Sequence, residues 1–139
     1  MFDRTVTVFN RNGDKWLPRT IEGVFVSQDM GYLLREYGAV ENATAAIHFP
    51  LTGGKIGEYV YDKPKEWESL VSKDGHITIR GGEQYDLVLL GEWESAAEID
   101  DSDYSKGFYH YLRTTRDGVW AVTKCAEFRV IPHLEVVVK

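Results

Sequence analysis

Three turn dipeptides, Asn12-Gly13, Asp74-Gly75 and Asp117-Gly118, lie beside stretches in which apolar and polar side chains alternate, and this pattern limits the possible folds more than any other feature. Asn-Gly and Asp-Gly accept the positive φ that tight hairpin turns demand, and period-two alternation marks a strand with one buried face. Residues 5–10 put Val6 and Val8 on one face and Thr5, Thr7 and Phe9 on the other. After Asn12-Gly13, Trp16 to Val26 return as the second arm of a long hairpin. Pro18 has no N–H to donate, so the start of that arm is expected at an edge or a bulge.

The same reading continues along the chain. Ala43 to Phe49 form a strand ended by Pro50 and Gly53-Gly54, and Tyr59-Val60-Tyr61 is another short extended piece. His76 to Arg80 and Tyr85 to Leu90 read as a second hairpin around Gly81-Gly82. In it Asp86-Leu87-Val88-Leu89-Leu90 is apolar on both faces, which places it centrally in a sheet. Val119 to Cys125 and Glu127 to Val138 are two closing strands, interrupted at Pro132.

Helical signals are few. Pro64 to Leu70 carries Trp67 and Leu70 at helical spacing behind a proline suited to a first turn. Ser102 is a candidate N-cap with Asp103 in the first turn, followed by Tyr104, Phe108, Tyr111 and Leu112 as one apolar stripe. Gly107 inside that helix would cost about 1 kcal/mol relative to alanine. Gln28 to Gly38 loses clean alternation and reads as a loop that could hold a helical turn, and the acidic stretch Ser95 to Ser102 reads as a connection. The expectation is a mainly β fold, a small barrel or sandwich of about seven or eight short strands with one or two short helices. At 139 residues it is expected to be a single domain spanning 1–139.

Composition narrows the function classes. Hydrophobic residues at 43% and charged residues at 27% match a folded globular chain. A net charge of −6 supplies no general attraction for phosphate backbones, so sequence-specific nucleic-acid binding is not expected, and the dilute set Arg113, Arg116 and Lys124 reads as a solvated face. Residues 1–6 lack the basic and apolar regions of a secretory signal, and no apolar run reaches a membrane span, so synthesis in a cytoplasm and no membrane partner are expected.

No catalytic or cofactor constellation emerges. His48, His76, His110 and His133 each lack a second histidine, a cysteine or a paired carboxylate at a metal-ligand spacing, so the expectation is no catalytic residue, no metal and no cofactor. The one cysteine, Cys125, could meet His133 only by folding and reads as a core residue. Gly53-Gly54-Lys55 and Gly81-Gly82 lack phosphate-loop spacing and read as turns. The carboxylates Glu92, Glu94, Glu98, Asp100, Asp101 and Asp103 could in principle supply an acid–base pair, but an acidic surface explains them more simply. Most aromatics must fill the core. Tyr32, Tyr37, Tyr59 and Tyr61 lie in segments of poor periodicity and are the candidate partner interface.

The stretch Asp100 to Tyr111, then Asp117-Gly118-Val119-Trp120-Ala121-Val122-Thr123 and Val130-Ile131-Pro132-His133-Leu134-Glu135-Val136, resembles the C-terminal part of small minor capsid or head–tail connector proteins of tailed bacteriophages and prophages. Phe2 to Asn10 and Ile77 to Trp93 look like the same group. The resemblance implies a non-enzymatic β-barrel head-completion protein that forms a homo-oligomeric ring below the portal. It would meet portal or adaptor and tail proteins and reside in the virion after folding in a bacterial cytoplasm. Pro132-His133 stands where that group often has a Gly-Ser and Trp pattern, and 28–42 has no counterpart. The alternatives are an accessory or assembly module that binds another protein, and a small hydrolase with an acidic site.

Overall fold

In the computed structural model, which describes residues 3–27, 45–82 and 86–139, the first hairpin forms as its pattern dictates. Strands β1 (Arg4–Asn12) and β2 (Lys15–Ser27) pair antiparallel from Asn12 opposite Lys15 to Val6 opposite Ile21, and the register then shifts before Arg4. Gly13 takes φ 66° in the turn, a conformation that glycine adopts without a Cβ penalty. Pro18 lies opposite Phe9, in the part of β2 flanked only by β1 among the described residues, so no bond is lost on its other side.

Six strands close into a barrel. Around it run β1, β7 (Leu87–Leu90), β9 (Val119–Phe128), β10 (His133–Val138), β3 (Ala45–Pro50) and β2, which returns to β1. The strand β8 (Ile99–Asp100) adds to β2 as an extra pair. Alternation decides the faces: Val6, Val8, Val88, Trp120, Val122, Leu134, Val136 and Val138 fill one core, with Ala45, Ile47 and Phe49 from β3. The opposite faces of β1, β7 and β9 carry Phe9, Leu87, Leu89 and Ala121 into a second buried cluster. β7 is therefore apolar on both sides because both sides are covered.

Covering that second face is the helix α2 (Phe108–Thr115), which buries Phe108 and Leu112 against Trp16 and Trp93. Phe9, Trp93 and Phe108 meet edge to face, with centroids 5.1 to 5.6 Å apart, an arrangement worth about 0.5–1.5 kcal/mol per pair beyond area burial. The helix begins later than its apolar stripe suggests. Ser102 is not its N-cap; it sits in a 3-10 turn, Asp101–Asp103, and its N–H and hydroxyl both donate to Asp100 Oδ1. Gly107 is not interior but occupies the N-cap at φ 88°, which a residue with a side chain rarely adopts. Asp101 Oδ1 accepts from the Phe108 N–H and the Trp16 indole N–H, both at 2.9 Å, so a carboxylate seven residues away starts the helix and pins it to β2.

The expected hairpin of 76–80 with 85–90 does not form. β6 (His76–Ile77) pairs in parallel with β5 (Tyr59–Tyr61), which pairs antiparallel with β4 (Lys55–Ile56), and β7 pairs with β1 and β9. Among the described residues one backbone bond, Asp86 N–H to Arg80 O at 2.9 Å, links the two segments, and side chains take the place of the rest of a ladder. Asn10, on the inward face after Val6 and Val8, donates to Thr78 O at 2.6 Å and accepts from Thr78 N at 3.2 Å. Asp86, fully buried, accepts from Arg80 N, Arg80 Nε, Arg80 Nη2 and Arg11 N. Arg80 also pairs with Glu68 and stacks over Trp67 of the short helix α1 (Pro64–Glu68). Gly81 passes so close to β9 that an added Cβ would sit 2.3 Å from Thr123 O, so it is a close-approach glycine as well as part of a turn.

Candidate functional site

A closed barrel leaves little backbone unpaired at its strands, so among the described residues the side chains and the hairpin ends are the groups to consider. The end of the β9–β10 hairpin stands out. Phe128, Val130 and Ile131 are 42%, 99% and 76% exposed, three large apolar side chains within four residues. Isolated exposed apolar residues such as Val71 are ordinary, whereas here three lie together at one hairpin end.

Directly behind this end, register assembles a polar cluster that spacing did not reveal. Leu134 and Val136 point inward, so His133 and Glu135 share the outer face of β10. Glu135 lies opposite His48 on β3, and His133 opposite Pro50. One ligand atom from each of His48, His133 and Glu135 lies within 4.8 Å of the other two. Glu135 Oε1 is 3.3 Å from His48 Nδ1 and 3.2 Å from His133 Nε2. His133 Nδ1 lies 2.6 Å from Ile131 O, and because a carbonyl only accepts, that nitrogen must donate. Phe128 stacks on the His133 ring at 5.0 Å and Phe25 lies 5.4 Å from His48, so aromatic faces hold both imidazoles. The only sequence sign was His133-x-Glu135, which shares a face once the segment is a strand; His48 is 85 positions away from His133 and joins through pairing alone.

The other candidates are placed as follows. Tyr59 and Tyr61 occupy β5, half-buried and packed against the barrel core, with Val60 outward at 36% exposure. The Tyr59 ring carries the Arg19 guanidinium at 5.3 Å and lines a shallow cleft with Thr20, Glu22, Glu58 and Glu92. Burial pushes the Tyr61 hydroxyl above its ordinary range. Tyr32 and Tyr37 lie outside the described residues.

The acidic residues do not converge on an acid–base pair among the described residues. Asp100 pairs with Lys15 at 2.6 Å, which holds its carboxyl down to about 2. Asp101 is held low by the Phe108 N–H and then the Trp16 indole, and Glu94 pairs with Arg116 at 3.1 Å. Cys125 packs against the barrel core while His133 faces outward, so the two lie on opposite sides of the sheet. Burial, with Glu127 adding to it, pushes the Cys125 thiol up to about 12, far from a reactive thiolate. Arg116 stacks on Trp93 and Arg113 on Tyr109, so these two cations form no patch. Among the described residues no helix is long and apolar enough to cross a membrane.

Residues 1–139 match the model of a family of unknown function, DUF6751. The chain belongs to that family. No curated protein and no solved structure matches it. The barrel, the hairpin end and the histidine–carboxylate cluster are therefore what this DUF6751 chain offers for assigning a role.

Proposed function

We propose that the chain is a structural subunit of a tailed phage or prophage particle, a connector-like protein that works by assembling with portal or adaptor and tail proteins. The observation that carries the reading is the apolar end of the β9–β10 hairpin. Fully burying one such side chain is worth about 1.5–3 kcal/mol. Three of them per subunit, repeated by rotational symmetry, add up to a stable junction from a small patch. The sequence resemblance to minor capsid and head–tail connector proteins supports the reading from another side, and so does the closed barrel that carries the hairpin. Contact by added strands falls to short edges such as β8 and β4, so side-chain docking carries the assembly.

Light scattering of the purified chain, alone and mixed with portal rings from the same genome, tests this. Wild type is expected to join the portal in a multi-copy complex, and Val130→Asp/Ile131→Asp to stay apart while remaining folded, since both positions are exposed. A wild-type monomer that ignores portal rings, or a variant that assembles equally well, contradicts the reading. A protein-binding accessory module that uses the same hairpin end without a ring would bind its partner with one copy each.

A further inference from the structure

The geometry points to a divalent metal site of the zinc type, formed by His48, His133 and Glu135 on the outer face of β3 and β10. Three facts converge. First, an ion with tetrahedral bonds of 2.0–2.1 Å spaces its ligand atoms about 3.4 Å apart, and the two contacts to Glu135 Oε1 are 3.3 and 3.2 Å. Second, His133 Nδ1 donates to the Ile131 carbonyl at 2.6 Å, which leaves Nε2, the nitrogen facing Glu135, as the one to bind an ion. That is the orienting bond metal-binding histidines make through their other nitrogen. Third, a single carboxylate oxygen faces ring nitrogens of two histidines at once, so one ion placed between them takes all three ligand atoms together.

Two imidazoles and a carboxylate select zinc and its late transition-metal neighbours over magnesium or calcium, which take oxygen ligands. Glu135 and His48 are buried at 8% and 9% exposure, while the His133 side chain is 23% exposed, so a fourth ligand enters from its side. Because His133 directly follows the apolar hairpin end and bonds to Ile131, the ion would also fix that end in place. The metal site does not depend on the assembly reading and stands or falls separately.

The test uses chelator-stripped full-length chain, titrated with Zn²⁺ against a chromogenic chelator and with Co²⁺ by visible absorption. One ion per chain and four-coordinate Co²⁺ bands are expected. His133→Ala, chosen because this side chain is the more exposed of the two histidines, should weaken binding more than about 100-fold, beyond what loss of an orienting partner costs, with circular dichroism unchanged. Glu135→Gln should do the same with circular dichroism unchanged, and His110→Ala should bind as wild type. No stoichiometric binding in wild type, binding that persists in His133→Ala, or binding that is lost in His110→Ala overturns the site.

Discussion

Replacing Asn10 by alanine removes the side chain that stands in for a strand beside Thr78. Asn10 and Thr78 are both fully buried, and the amide makes two bonds, Nδ2 to Thr78 O at 2.6 Å and Thr78 N to Oδ1 at 3.2 Å. Alanine leaves a backbone N–H and a backbone C=O without partners, each costing about 1–3 kcal/mol. The sum centres on about 4 kcal/mol, a large share of the roughly 5–15 kcal/mol that holds a domain of this size. With a urea slope of about 2 kcal/mol/M, the unfolding midpoint should fall by about 2 M. Asn12→Ala, exposed at the end of the same strand, is the control and should change stability by less than about 0.5 kcal/mol. A midpoint shift for Asn10→Ala below about 0.5 M would refute the view that side chains replace the ladder at 78–80.

Gly81→Ala should destabilise by about 3 kcal/mol in the same assay, because the added Cβ meets backbone atoms of Thr123 and Lys124 that cannot move without disturbing β9; an unchanged midpoint would contradict the close approach. Asp100 is held down to about 2 by Lys15, so the pair contributes stability above the ordinary carboxylate pKa and loses it as pH falls from about 4 toward 2. Asp100→Asn should therefore flatten the acid-unfolding profile in that window, and an identical profile would count against the pair. Cys125, with its thiol pushed up to about 12, should resist a thiol reagent at pH 8 in the native protein and react at once in denaturant; rapid native labelling would show the thiol to be accessible.

Much of the barrel was legible in the sequence because its strands obey local rules. Gly13 marked the first turn, alternation set the faces of Val6 and Val8, and the double-sided apolar run at Leu87–Leu90 announced a strand covered on both sides. What stayed hidden depends on partners distant in sequence. The helix at Phe108 starts where Asp101 and the φ of Gly107 allow, which an apolar stripe does not encode. His76 to Arg80 has strand chemistry, yet its backbone beyond β6 bonds largely to side chains, Thr78 to Asn10 and the Arg80 N–H to Asp86. The cluster of His48, His133 and Glu135 exists only through the β3–β10 register, so a search for ligand spacing along the chain passes over it. Tyr59 and Tyr61 lack periodicity because β5 is three residues long, not because the rings face away from the core.

The proposal of a particle component is tested most directly by quantitative mass spectrometry of purified, nuclease-treated tailed particles from a host that carries this gene. The chain is expected as a stable component at the copy number of a portal-associated ring, far below that of the major capsid protein, and reduced in particles made with Val130→Asp/Ile131→Asp. Its absence from intact particles, with the chain abundant in the same lysate, would contradict that claim.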